Sequence, residues 1–398
     1  MQSPHDRSFM STTNVYSMFF WGIGCVVLTL FLSSCSSTDS AQLGTSQAEQ
    51  NVLPLRYSIV CIIHGDGDYL YHDSRGNERN ADEMALARAI RVAEKNPHAE
   101  VFIFHERPRS NFLLFFPLHD GEFYYYRNGQ LLANEPYWRD QGLSRFDPQV
   151  SFYQRFHTLE QAQLVKLFLY FGHEIPEIDG KGYDASYPDG LFTMHDLADG
   201  LKRITSDSTK FDLIVLSTCF NGTPYTIATL SPYARYIIAS PDNLHLSYFD
   251  LRPFERLDIS LRDGGILAFA RQFAQHAFDR LTKNIQTVVT VAVYDVDCVQ
   301  GFLHSVDSVD RALTMLKGKT MGSVATVEHC DCADLPAYML PMMSEGVDVF
   351  YRPARFGRSK YKQNHSGWQC WTEKEPQIVT SQTPEPTPKR SGNHDENR

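Results

Sequence analysis

The stretch Phe211–Ser240, FDLIVLSTCFNGTPYTIATLSPYARYIIAS, constrains this chain more than any other. It opens on an apolar run, Phe211 to Leu216, too short for an ordinary helix and rich in bulky side chains. Such a run has the pattern of a strand buried on both faces. Asn221-Gly222 breaks the pattern, a helical segment spans Thr223 to Leu230, and a second buried strand covers Ala234 to Ala239. Cys219 therefore falls at the carboxyl end of a buried strand and just before a helix. In an open α/β sheet that edge is where sites form, and a helix amino terminus lowers a thiol's pKa. The competing reading is a buried structural cysteine.

Strand and helix signals alternate on either side of this stretch. Tyr57 to Ile63 is a first buried strand, closed by His64-Gly65-Asp66-Gly67-Asp68. That loop lacks the spacing of a phosphate loop or an EF-hand. Asn80 to Lys95 has helical periodicity, and Glu100 to His105 is the next strand, so a right-handed parallel crossover is expected. Phe112–Phe116 and Glu122–Arg127 flank Asp120-Gly121, a hairpin signal, and Asn128-Gly129 gives a further turn. Glu135 to Phe156 has no regular pattern and reads as a loop. Gln163 to Phe171 is a further strand ending in Gly172-His173, Asp179 to Gly190 a loop over the site, and Leu191 to Thr205 a helix. Downstream, Ile266–Leu281 and Val306–Leu316 read as helices and Thr287–Tyr294 as a strand. Ala333–Met343 reads as a helix interrupted by prolines, and Val347–Tyr351 as an edge strand. The class is α/β, a mainly parallel sheet flanked by helices with a hairpin insertion.

The amino terminus stands apart from this pattern. Met18 to Leu32 is an uncharged apolar run of signal-peptide length, short for a membrane span. The Leu32-Ser33-Ser34-Cys35 that follows resembles the lipobox of bacterial lipoproteins, which implies acylation of Cys35 and a lipid-anchored protein of the bacterial cell envelope. The expected organisation is a signal peptide over 1–35, a tether over 36–55, one catalytic-type domain over 56–372 and a disordered tail over 373–398. The net charge of −10 is spread along the chain without a basic stripe, so no nucleic-acid partner is expected. With Cys25 leaving and Cys35 acylated, Cys61, Cys219, Cys298, Cys330, Cys332 and Cys370 remain. Cys330-Asp331-Cys332 lacks the spacing of a structural zinc site, and a disulfide to Cys370 is an alternative use.

Two buried strands thus end in reactive residues, His173 and Cys219. If consecutive parallel strands are neighbours, both side chains emerge at one sheet edge. A thiolate to attack and an imidazole to move the proton are what nucleophilic acyl transfer needs. At these residues the chain resembles the clostripain-like cysteine peptidases, of caspase-like fold. In that family an apolar strand ends in His, and a strand of the Phe-Asp-Leu-Ile type leads to Cys. Tyr233 to Ser240 is similar to the family's following strand, which ends in Ala-Ser. The resemblance implies that His173 is the general acid/base and Cys219 the nucleophile of an endopeptidase acting on polypeptide. It implies a substrate cleft of Gly172, Glu174, Ser217, Thr218, Ser240 and Asp242. No metal or other cofactor is implied by the residues, and a calcium requirement is not readable from them. Three positions depart from the family pattern: Glu174 replaces a Gly, Ser217 an acidic residue, and Phe220-Asn221 a Leu-Met. The alternatives are an inactive caspase-like lipoprotein acting as a binding or scaffolding module, and a cysteine hydrolase of a non-peptide acyl group such as a cell-wall amide.

Overall fold

The computed structural model describes residues 53–65, 70–72, 77–113, 115–140, 145–157, 164–178, 180–205, 209–244, 250–261, 264–299 and 346–357. The signal and tail expected at the two ends lie outside them, as does the tether up to residue 52; its last residues, 53–55, are described, and Leu55 is buried, so the packed part begins there. Also outside the described residues lie the helices expected at 306–316 and 333–343, and Cys330, Cys332 and Cys370.

The strands are β1 (Tyr57–His64), β2 (Leu70–His72), β3 (Glu78–Asn80), β4 (Ala99–Glu106), β5 (Ser110–Phe112), β6 (Phe116–Leu118), β7 (Gly121–Arg127), β8 (Gln130–Tyr137), β9 (Val165–Phe171), β10 (Phe211–Ser217), β11 (Ala234–Ala239), β12 (Val289–Asp295) and β13 (Val347–Arg352). The helices are α1 (Ala81–Lys95), α2 (Asp147–Phe156), α3 (Met194–Thr205), α4 (Pro224–Leu230), α5 (Leu257–Ser260) and α6 (Gly265–Asn284). Nine strands form one sheet in the order β13-β12-β11-β10-β9-β1-β4-β7-β8. The five central strands, β11 to β4, run parallel, and an antiparallel pair extends the sheet on each side.

Why the central strands read as unbroken apolar runs is visible in β10. Ile214 and Leu216 enter one core with Phe168, Phe102 and the apolar sides of α2, α3 and α4. Leu213 and Val215 enter the other with Ala85, Ala89, Phe269 and Phe273 of α1 and α6. A strand covered on both faces has no solvent side on which to place polar residues. The expected mainly parallel sheet flanked by helices is therefore the architecture present. Both cores lie within one compact unit of the described residues.

Two expectations are corrected here. Residues 112–116 are not one strand: Phe112 ends β5, Phe116 opens β6, and the two pair with each other as a separate small hairpin. The further turn expected at Asn128-Gly129 is present, both residues at positive φ, 53° and 79°, and it is the one that joins β7 to β8. Asp120-Gly121 only leads into β7, because Asp120 is buried and used as an anchor. Nor is 135–156 a loop. Its first residues complete β8, and α2 fills its end, burying Val150 and Tyr153 against Phe102. Pro148, in the first turn of α2, masks the periodicity but is compatible with a helix start. Val347–Tyr351 is the edge strand expected, within β13.

Candidate active site

β9 and β10 are parallel neighbours, and Phe171 faces Ser217 in their register. Each strand then runs on by two residues, through Gly172 to His173 and through Thr218 to Cys219. The ladder continues past the strand ends, with the Gly172 N–H donating to the Ser217 carbonyl at 3.4 Å. His173 and Cys219 are thus equivalent positions, each two residues past a paired strand end.

The two segments leaving these positions are stitched together. Asn221, buried, accepts from the Ile175 N–H and donates to the Ile175 carbonyl, both at 2.9 Å. Thr223 caps α4 by accepting from the Thr226 N–H at 3.1 Å. Thr223 and Thr226 both donate to the Glu177 carboxylate, Thr226 at 3.0 Å. A carboxylate at a helix amino terminus is also favoured by the helix dipole. Two residues beyond His173 are therefore fixed to two residues beyond Cys219.

A third segment, after β11, closes around the cysteine. The Cys219 thiol donates to Asn243 Oδ1 at 3.3 Å, and its sulfur accepts from the Leu244 N–H at 3.3 Å. The Phe220 N–H donates to the Asp242 carbonyl at 3.3 Å, and the Gly222 N–H to the Ser240 carbonyl at 2.9 Å. Gly222 has to be glycine, since a Cβ there would lie 2.6 Å from the Pro241 nitrogen. Phe220, immediately after Cys219, sits at φ 52°, the left-handed region that costs a bulky side chain energy. The cysteine is presented on a strained turn clasped from two sides.

The thiols differ in a way that bears on chemistry. Among the described residues Cys61, Cys219 and Cys298 are outside disulfides. Burial pushes the Cys61 thiol up to about 12, which keeps it protonated and inert. Cys219 is half-buried at a sheet edge. Burial also lowers the His173 pKa below its ordinary 6.5, so its imidazole stays neutral into mildly acidic solution.

The other expected site residues are brought to the same edge in different ways. Gly172 and Glu174 flank His173, and Ser217 and Thr218 precede Cys219, Thr218 buried with its hydroxyl unpartnered. Ser240 is buried, its hydroxyl donating to the Asp242 carbonyl at 2.9 Å and accepting from the Asp242 N–H at 3.1 Å. The Asp242 carboxylate accepts from Thr290 and so points toward β12. The loop expected over the site, Asp179 to Gly190, folds onto the ends of β1 and β4. There Asp184 meets Arg139, Arg145 and His64, and Tyr183 stacks on His64 at 4.7 Å. Asn221, Asn243 and Glu177 were not among the expected residues. Asn221-Gly222 carried a signal, read only as a pattern break.

Residues 172–353 match the model of the clostripain family, beginning at the glycine before His173. No curated protein matches the chain at a significant level. Among solved structures, a secreted C11 cysteine protease from Bacteroides thetaiotaomicron with an irreversible peptide inhibitor is similar at 14% identity and a TM-score of 0.42, covering 65% of this chain and 69% of that one. The protease from the same organism called iotapain gives 12% and 0.45, covering 66% and 72%. An inactive zymogen C11 protease from Parabacteroides distasonis gives 14% and 0.41, covering 73% and 75%. Likenesses of that size are noted without further weight. The match over 172–353 thus makes this chain similar to the clostripain family from the sheet edge where His173 and Cys219 emerge through β13.

Proposed function

We propose that the chain is a lipid-anchored endopeptidase of the bacterial cell envelope, held by an acylated Cys35 and working through a His173/Cys219 dyad. The observation that carries the dyad is the β9–β10 register, in which the two residues follow paired strand ends. Cys219 Sγ attacks the scissile carbonyl carbon and its proton passes to the His173 imidazole. The C–N bond breaks as the leaving amine takes that proton; water then attacks the thioester as His173 takes its proton, and the C–S bond breaks with that proton returning to Cys219 Sγ. Backbone N–H groups at Cys219 and beside His173 are the candidates to hold the oxyanion. Ser217, Glu174, Ser240 and Asp242 border the cleft. No cofactor enters these steps.

The test is a chain beginning at Val52 offered a peptide library, beside Cys219→Ala and His173→Ala. Turnover is expected from the parent alone, at least about 1,000-fold above either variant. The acid limb of kcat/KM is expected below pH 6.5, following the lowered His173. Equal turnover in Cys219→Ala would sink the dyad. Binding of peptides without any turnover would favour the scaffolding module, and turnover of cell-wall amides alone the non-peptide hydrolase.

A further inference from the structure

The small hairpin β5–β6 stands outside the nine-stranded sheet and carries the largest concentration of exposed apolar side chains on the described surface. Phe112, Leu113, Phe115, Phe116 and Leu118 are all exposed, Phe115 at 81% and Leu113 at 67%. Phe112 pairs with Phe116 and Ser110 with Leu118, so Phe112, Phe116 and Leu118 share one face. Leu113 and Phe115 crown the turn, Leu113 in the left-handed region at φ 48°. A leucine is an expensive choice there, where Gly or Asn would fit without strain. The apolar surface therefore covers a face and the end of a convex finger.

The base of the finger is built to hold it up. The Arg107 N–H donates to the Asp120 carbonyl at 2.7 Å, closing the hairpin. The buried Asp120 carboxylate accepts from the Arg139 N–H at 2.9 Å and from the Tyr187 hydroxyl. The Arg109 N–H donates to Ser186 Oγ at 2.8 Å. Around this base lies a collar: Arg107 paired with Glu122 at 3.0 Å, Arg109 with Asp140 at 2.9 Å, and His119 against Trp138 at 4.4 Å.

We propose that this finger inserts into the interface of a lipid bilayer. Three features favour lipid over a protein groove. Apolar groups on both a face and the tip call for a medium that surrounds them. The order from tip to base, apolar, then Trp and paired charges, follows the polarity profile of a bilayer surface. Three-residue strands at ~3.4 Å per residue raise the tip about 10 Å above the collar, which matches the ~5–10 Å depth of interfacial apolar groups. Because both collar arginines are paired with carboxylates, the attraction is hydrophobic and needs no anionic lipid. The finger's base also grips Ser186 and Tyr187, in the loop whose Tyr183 stacks on the buried His64.

The proposal is independent of catalysis, and its test omits Cys35. A chain beginning at Val52 is sedimented with pure phosphatidylcholine vesicles, beside Leu113→Ser/Phe115→Ser. The parent is expected to partition, with little change between low and high salt, and the variant at least about tenfold less, equivalent to ~1.4 kcal/mol. Both should melt at the same temperature, since the replaced side chains are exposed. Equal partitioning of parent and variant, or none by the parent, would overturn the proposal. A parent dimer that the variant breaks would assign the finger to a second copy. Partitioning that appears only when residues 358–398 are removed would assign it to the tail. Either result would overturn the lipid proposal.

Discussion

Between the His173 and Cys219 segments the side chain with most leverage is Asn221. Its amide makes a two-point bond to the Ile175 backbone, and a carboxamide is the group that can both accept and donate in that geometry. Asn221→Leu keeps the size but leaves a buried N–H and a buried carbonyl unpaired. The two strand-end segments are then free to drift, and displacements near 1 Å cost about 100-fold in rate. The expected result is kcat lowered roughly 10- to 100-fold with KM changed much less, because the substrate cleft is not emptied. A merely structural residue would lower the melting temperature and leave kcat of the folded fraction intact, so single-turnover kinetics alongside a melt separates the two. The placement of His173 and Cys219 just past two strand ends was legible in the sequence because each follows a strong apolar run. Asn221 and Asn243 were not, since what they do depends on loops that meet only after the strands have been laid side by side.

At the scale of elements, the parallel core was legible because buried strands carry continuous apolar runs. The insertion after β4 was misread where its strands are short and exposed, as in β5 and β6, or where helix α2 opens with Asp-Pro. Such elements take their shape from what they pack on, not from a pattern of their own. The packing of α6 and α1 depends on one such tertiary feature, the buried Asp250 carboxylate. Arg88 of α1 reaches it at 2.8 Å, Arg252 at 2.6 Å, and His276 and Arg280 of α6 at 3.3 and 3.6 Å. Burial works to raise its pKa. The hydrogen bonds from Arg252 and the charges of Arg88 and Arg280 prevail and hold it at about 2. Since the guanidinium groups are partly exposed, losing the carboxylate leaves them able to reach water, so the cost falls short of a fully buried pair. Asp250→Asn is expected to lose about 1–3 kcal/mol at neutral pH, read by urea unfolding. A depressed carboxylate stabilises above its unfolded pKa and loses that stabilisation as pH falls through the folded one. The gap between parent and variant should therefore close between about pH 4 and pH 2.

Taken as a whole, the molecule concentrates buried charge at the carboxyl edge of β1 and β4, beside the candidate site, and that placement sets how it answers acid. Asp184 accepts from Arg139 and from Arg145 at 2.6 Å, Glu106 from Gln149 at 2.8 Å, and the fully buried His64 ring lies 3.5 Å from Asp184. Two guanidinium groups already balance the two carboxylates, so a third positive charge has no partner to spare. Burial accordingly lowers the His64 pKa below 6.5, against the pull of Asp184 and Glu106 and with the help of Arg145 and Arg139. In the unfolded chain His64 takes up its proton near pH 6.5, and in the folded chain only at a lower pH. Between those two values the unfolded state binds more protons, so stability is full above pH 6.5 and falls as the pH drops below it. His64→Gln, which keeps a polar side chain against Asp184 but cannot titrate, is expected to flatten the unfolding free energy between pH 6.5 and 5. Part of the slope survives through His173, which is lowered in the same sense. Urea unfolding of the chain from Val52 at steps across that window measures both. A slope unchanged by His64→Gln would mean that the cluster admits the proton after all, with the Asp184 loop shifting to accommodate it.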